Sequence, residues 1–265
     1  NKAVTGNLGI AYMPTEELRL STNFSSGFRS PNFDDMTKVF ESVSGQRLIV
    51  PNADLKPEYT KNVDAGIRFN DGVIDIEAYG FYTHFTNAIV TDVFTFNGQD
   101  SVNYEGTMTK VYASQNKAKA FIYGGGFSAT YRPALHFSLF GSINYTYGRF
   151  NNDTVLVPLD HIPPVTGRLG IKYDHQVWYT ELYSLYNGRK KLVDYNPAGE
   201  DNIQYSTPTG TPSWYTVNFR AGVTFAKHVQ LQAGVENILD KNYRYFASGM
   251  SAPGRNFVLA VRYIY

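Results

Sequence analysis

Apolar and polar residues alternate with a period of two along most of this chain, the pattern of strands with one greasy face and one wet face. The clearest case is 255–265, where Phe257, Leu259, Val261, Tyr263 and Tyr265 alternate with Val258, Ala260, Arg262 and Ile264. Residues 214–225 and 229–238 form an equally clean hairpin, with Val217, Phe219, Ala221 and Val223 set against Asn218, Arg220, Gly222 and Thr224. The alternation predicts about eleven strands, over 4–12, 18–28, 60–69, 73–87, 119–131, 135–147, 165–173, 177–187, 214–225, 229–238 and 255–265. In 177–187 the period is least clean; keeping Glu181 off the greasy face puts Trp178, Leu182 and Tyr186 on it. Asn70-Asp71-Gly72 is a hairpin turn, since Gly accepts positive φ. Gly124-Gly125-Gly126 has no helix after it and reads as a bend or close backbone approach in a strand, not a phosphate loop.

The connections sort by length. The first, third, fifth, seventh and ninth are a few residues each, and the other five run from about fifteen to thirty, as short periplasmic turns and long extracellular loops do in an outer-membrane barrel. The aromatic ending resembles the terminal strand of such a barrel, whose pattern (Phe257, Leu259, Val261, Tyr263, Tyr265) is the signal for the barrel-assembly machinery. The fold class is therefore all-β, a transmembrane antiparallel β-barrel in contact with outer-membrane lipid. Segments 93–97 and 110–115 would extend their flanking strands above the membrane. With Tyr265 at the periplasm, an odd strand count puts Asn1 outside, and an open sheet cannot sit in lipid with unpaired edges. Residues 1–265 are thus expected to be one incomplete domain, the C-terminal part of a larger barrel.

Composition agrees. Aromatic residues are 15% of the chain, with 21 Tyr and 18 Phe against 2 Trp, as girdles at two lipid–water interfaces require. Mean hydropathy is negative, as expected when half of each strand faces a polar lumen. A net charge of +1 argues against nucleic acid, and the absence of cysteine excludes disulfides and thiolate chemistry. No GxSxG or HExxH motif and no paired metal ligands occur, so neither an enzyme nor a metal or cofactor site is expected.

Three stretches resemble the C-terminal half of TonB-dependent outer-membrane receptors. SGFRSPNFDDM (26–36) is similar to the family's FRAP box, with Ser30 in place of Ala. PNADLKPEY (51–59) resembles the NPxLKPE box, with Ala53 in place of Pro. The ending from Val235 resembles VxNLxDKxY, with Ile238 for Leu, followed by Pro253-Gly254-Arg255 and the last strand. The resemblance implies a 22-stranded barrel of which about eleven strands are the second half. The plug and remaining strands would come from the N-terminal half of the same receptor, and a TonB complex would act through that missing region. It implies active import of a scarce nutrient, an iron–siderophore, cobalamin or haem-type ligand; 29–53 lacks the His common in haem receptors. The competing readings are a passive porin and an oligosaccharide or peptide importer with a surface lipoprotein.

Candidate ligand residues lie in the long loops. Arg29, Arg47, Arg189 and Arg244 suit anionic ligands. Tyr195, Tyr243 and Tyr245 can stack on flat ones. Asp34, Asp35 and His161 complete the set, although the boxes themselves read first as structural: Pro57 fixing φ before a strand, Asn237 and Asp240 capping a turn. His136, His175 and His228 fall at short turns, on the wrong side for ligand capture.

Overall fold

The structure, a computed structural model, describes residues 3–43, 47–152, 155–199, 201–225 and 228–263. Its strands, in chain order, are β1 (Asn7–Tyr12), β2 (Leu18–Arg29), β3 (Phe40–Val43), β4 (Arg47–Ile49), β5 (Glu58–Asn70), β6 (Ile74–Val93), β7 (Ser101–Tyr104), β8 (Thr107–Ala134), β9 (Phe137–Asn151) and β10 (Leu156–Pro158). They continue as β11 (Thr166–His175), β12 (Trp178–Asn187), β13 (Trp214–Phe225), β14 (Val229–Glu236) and β15 (Asn256–Tyr263). Eleven of them make one wall in the order β1-β2-β5-β6-β8-β9-β11-β12-β13-β14-β15, every neighbour antiparallel. These are the strands that the alternation predicts. The other four, with the short helix α1 (Phe33–Thr37), belong to the long connections.

Register explains why a period of two was legible. Cross-strand partners share a face, and one row runs Tyr12, Leu20, Ile67, Ala78, Phe127, Ile143, Gly167, Tyr186, Tyr215. Every side chain in it is apolar or aromatic, as a lipid-facing surface requires. A row of opposite parity runs Arg19, Arg68, Glu77, Ser128, Ser142, Arg168. On that polar face Arg168 pairs with Glu181 and lies over the rings of Phe140 and Tyr183, at 4.9 and 4.5 Å. Glu181 is 8% exposed, whereas Trp178, Leu182 and Tyr186 are open on the other side, as its charge demanded. The glycine run does what a close approach needs. A Cβ on Gly124 would stand 2.4 Å from the Tyr145 carbonyl oxygen and 2.9 Å from the Phe81 ring.

The largest extensions beyond the predicted strands are on β6 and β8. β6 has 20 residues and β8 has 28, against the roughly 9–11 that cross a bilayer. The surplus of β8 includes 110–115, as expected, whereas of 93–97 only Val93 falls in β6. Near its tip β8 gains β4 as a parallel neighbour and β7 as an antiparallel one. Leu48, Val50, Val111 and Ala113 are buried there against Phe94, Val102 and Tyr104, a separate small core above the wall. Below, the short connections are tight turns: in 71–73, Asp71 Oδ1 accepts from the backbone of Val73 and Ile74 at 2.9 and 2.7 Å, and Gly72 sits at φ +88°. Those backbone N–H groups hold the Asp71 carboxyl below its usual pKa.

On β15, Phe257, Leu259, Val261 and Tyr263 share one face and are 64–74% exposed. Tyr265 lies outside the described residues. Within them the sheet path ends on β1 and β15 without joining the two.

Candidate ligand-binding site

The long connection 188–213, between β12 and β13, ties the outer end of the wall together. Asp201, 1% exposed, accepts the His161 N–H at 2.8 Å and the Asn196 N–H at 2.8 Å, so one carboxylate clamps two loops. Lys190 donates from Nζ to the Ile162 carbonyl at 2.6 Å and sits 4.8 Å from the Phe246 ring. Burial pushes its pKa down, opposed by Asp194 and Asp201 and reinforced by Arg149. Asp194 in turn pairs with Arg149 of β9 at 2.6 Å, and that guanidinium lies 4.2 Å from the Tyr147 ring. Asn202 Nδ2 donates to the Ala247 carbonyl at 2.7 Å, bringing in the connection 237–255. Arg47 donates to the carbonyls of Pro197 and Gly199, bringing in the first long loop.

The FRAP-like and LKPE-like boxes meet face to face. Arg29 is the register partner of Glu58. Its guanidinium bonds Asp35 at 2.8 Å and Glu58 at 3.5 Å. Glu58 Oε2 also accepts the Ile89 N–H at 2.8 Å. Asn32 and Asp35 form a reciprocal capping box on α1. Asn116 brackets Lys56, accepting its N–H at 2.6 Å and donating to its carbonyl at 2.8 Å. Arg29 and Asp35 are therefore committed to fixing the loop's exit and return. Asp34 stays exposed on the rim of a small recess beside Lys38 and Phe40. The third motif is also a turn: Asn237, at φ 51°, accepts the Lys241 N–H at 2.9 Å, and Asp240 accepts the Arg255 N–H at 2.8 Å.

The other predicted residues divide. Tyr243, Arg244 and Tyr245 come together around Trp214, with ring centroids 4.1 Å (Tyr243) and 4.9 Å (Tyr245) from the indole. Trp214 Nε1 donates to the Arg244 carbonyl at 3.1 Å, and Arg244 Nη1 donates to the Tyr205 carbonyl at 3.2 Å. Burial, then Tyr245 and Glu236, raise the Tyr243 pKa, keeping its phenol a hydrogen-bond donor. Beside this cluster opens a cleft of about 370 Å³. Tyr195 is 3% exposed, its hydroxyl 2.6 Å from Thr211 Oγ1, so it supports the cleft wall without reaching a ligand in this conformation. Arg189 is exposed and braces the Thr209 carbonyl at 3.2 Å. His161 is exposed on a left-handed residue at φ 57°. A second cleft, of about 290 Å³, has Phe85, Ile122 and Leu159 as apolar lining and Arg29, Glu58 and Asp160 as its charged groups.

Sequence reading missed Asp201, Lys190, Tyr205 and Trp214. Only Trp214 carried a signal, being one of 2 Trp residues. The charged pair sits in an aperiodic loop where nothing marks burial.

A sheet lipid-facing on one side, polar on the other and capped by interlocked loops at one end is the wall of an outer-membrane receptor barrel. The comparisons say which kind. The family described as TonB dependent receptor-like, beta-barrel matches residues 1–238, and the chain belongs to it. Its place is the bacterial outer membrane. A probable hemoglobin and hemoglobin-haptoglobin-binding protein 4 of Haemophilus influenzae is 27% identical over 92% of this chain and 25% of its own length. Transferrin-binding protein A of Neisseria meningitidis serogroup B is 25% identical over 92% of this chain and 28% of its own. Among solved structures, the copper transporter OprC superposes with a TM-score of 0.78 at 19% identity, covering 98% of this chain and 39% of that one. The ferric enterobactin receptor PfeA of Pseudomonas aeruginosa gives 0.71 at 16% identity, covering 98% and 40%. These relatives and neighbours are receptors and transporters, not enzymes. The chain spans about a quarter of the length of these curated relatives.

Proposed function

We propose that this chain is the C-terminal half of an outer-membrane import receptor that binds an iron-bearing nutrient on its extracellular loops and passes it inward in a TonB-dependent manner. The observation that carries the reading is the loop assembly. Three other connections, through Arg47, His161 with Ile162, and Ala247, converge on 188–213 by hydrogen bonds of buried and half-buried groups, so the outer surface is ordered before any ligand arrives. Preorganisation of that kind serves binding, and an open pore has no use for it.

The curated relatives are named for binding hemoglobin, hemoglobin–haptoglobin and transferrin, and several solved neighbours are ferric enterobactin receptors. Iron in a carrier is the cargo common to that set. Siderophore and haem-type ligands both fall within it, and cobalamin is the less favoured choice. Arg47, Asp34, Arg189, Tyr243, Arg244 and Tyr245 are the side chains of the loop layer assigned to ligand contact, with His161 at its edge. The open edges β1 and β15 are to be closed by strands of the N-terminal half. That half would also supply the plug and the contact with TonB.

The test is iron uptake by cells expressing the full-length receptor as their only outer-membrane iron route. Growth on a ferric siderophore, haem or an iron-loaded host protein, lost when TonB is deleted, supports the reading. Uptake that persists without TonB, and that also admits unrelated small solutes, would replace it with a passive channel.

A further inference from the structure

We infer that the cleft between the 188–213 and 237–255 connections is a binding site for an acidic sugar, a pyranose carrying a carboxylate. Its lining holds two cations, Lys241 and Arg244, and no aspartate or glutamate. Neither cation makes an ion pair among the described residues, whereas Arg29, Lys117 and Arg149 in the same layer each face a carboxylate. An uncompensated pair of positive charges in a concave site favours an anion.

The rest of the lining defines what the anion is attached to. Tyr205 is 54% exposed, with the Arg244 guanidinium 5.5 Å from its ring, and forms a flat wall on which a sugar's C–H face can lie. Ser213 and Asn242 make no side-chain hydrogen bond among the described residues, which leaves them to pair with ring hydroxyls. Aromatic wall, neutral donors and cations together match a hydroxylated, charged ligand; a bare inorganic anion would use only the last. The volume, about 370 Å³, lies at the small end of ligand sites and suits one or two rings.

The frame is rigid. Trp214 Nε1 holds the Arg244 carbonyl, Arg244 Nη1 holds the Tyr205 carbonyl, and the Tyr195–Thr211 hydroxyl pair braces the wall behind. The site thus needs little ordering on binding. Recognition here does not require that the sugar itself be imported.

The test uses the complete receptor in detergent micelles, titrated with cellobiouronic acid, with neutral cellobiose and with inorganic sulfate, followed by calorimetry and saturation-transfer NMR. The acid is expected to bind at least about tenfold more tightly than cellobiose, the size of one charge-assisted contact. Lys241→Gln, at an exposed position, should lose most of that difference, and Tyr205→Ala should weaken both sugars. Equal binding of acid and neutral sugar, or binding of neither, overturns the inference. Sulfate competing as strongly as the acid with Tyr205→Ala silent would reduce the cleft to an anion site and overturn it as well. TonB dependence of iron uptake is unaffected by any of these outcomes, so the two proposals fail separately.

Discussion

The wall and the loop layer are held by opposite means. In the wall, backbone ladders between eleven strands carry the structure, and side chains need only keep to the correct face. In the loop layer, regular pairing is sparse and single polar side chains carry the load, as where the Asp201 carboxylate bonds two chain segments at once. The wall therefore tolerates many substitutions that preserve alternation and fails at any that reverse it. The loops tolerate change wherever the clamps are spared and open when one is removed.

The largest expected effect breaks the alternation. Phe127→Arg puts a charge in the middle of the lipid-facing row and should cost about 2–4 kcal/mol or prevent insertion. Ser128→Arg, one residue along on the polar face, should leave assembly close to wild type. Refolding into vesicles, read by heat-modified gel mobility, compares them; similar behaviour of the two would mean the face assignment is wrong. Next comes Asp201→Ala, which leaves two backbone N–H groups without their acceptor in a buried site and should cost about 2–3 kcal/mol locally. Hydrogen exchange should rise at Asn196 and His161 with no change in β13 or β14. If the wall loosens too, loops and wall are one cooperative unit and the contrast fails. Arg29→Ala is smaller, since Arg29 is substantially exposed and such pairs contribute under about 1 kcal/mol. It should raise protease sensitivity at 30–57 without shifting the thermal transition of the barrel.

This contrast also decides how much was legible beforehand. Lipid on one side and a polar interior on the other write a two-residue period into the sequence, so all eleven wall strands, the register of β12 from Glu181 alone, and the sorting of short and long connections could be read directly. The extension of β8 through 110–115 was expected too, but its full length and its pairing with β4 and β7 could not be read, because above the membrane both faces meet water and the period fades. Of the candidate ligand residues, Arg29 and Asp35 proved to be bound up in the box-to-box clamp. Tyr243, Arg244 and Tyr245 cluster beside a cleft, and their sequence neighbourhood had drawn them together. Tyr205 and Trp214 reach the same cleft from another connection, a meeting decided by loop geometry that no local pattern encodes.

The smallest prediction concerns Lys190, and its sign follows from burial. The group is 6% exposed, and burial lowers its pKa from the ordinary 10.5. Charged Lys190 is thus less comfortable in the folded loops than in an opened state. At low and neutral pH both states hold the proton and the full penalty is present. As pH rises through the lowered pKa, the folded loops release the proton while the opened state keeps it until 10.5. An opened state that binds more protons means stability rising with pH in that window. The carboxylates of Asp194 and Asp201 oppose the shift, so the slope should be shallow. Limited proteolysis of 188–213, corrected for the protease's own pH profile, should slow between neutrality and the ordinary lysine pKa. In Lys190→Met the rise should vanish, while the Ile162 carbonyl loses its partner and the loop opens more readily at every pH. A wild-type loop that instead loosens as lysine deprotonates would show that the Nζ–Ile162 bond, not burial, dominates at this position.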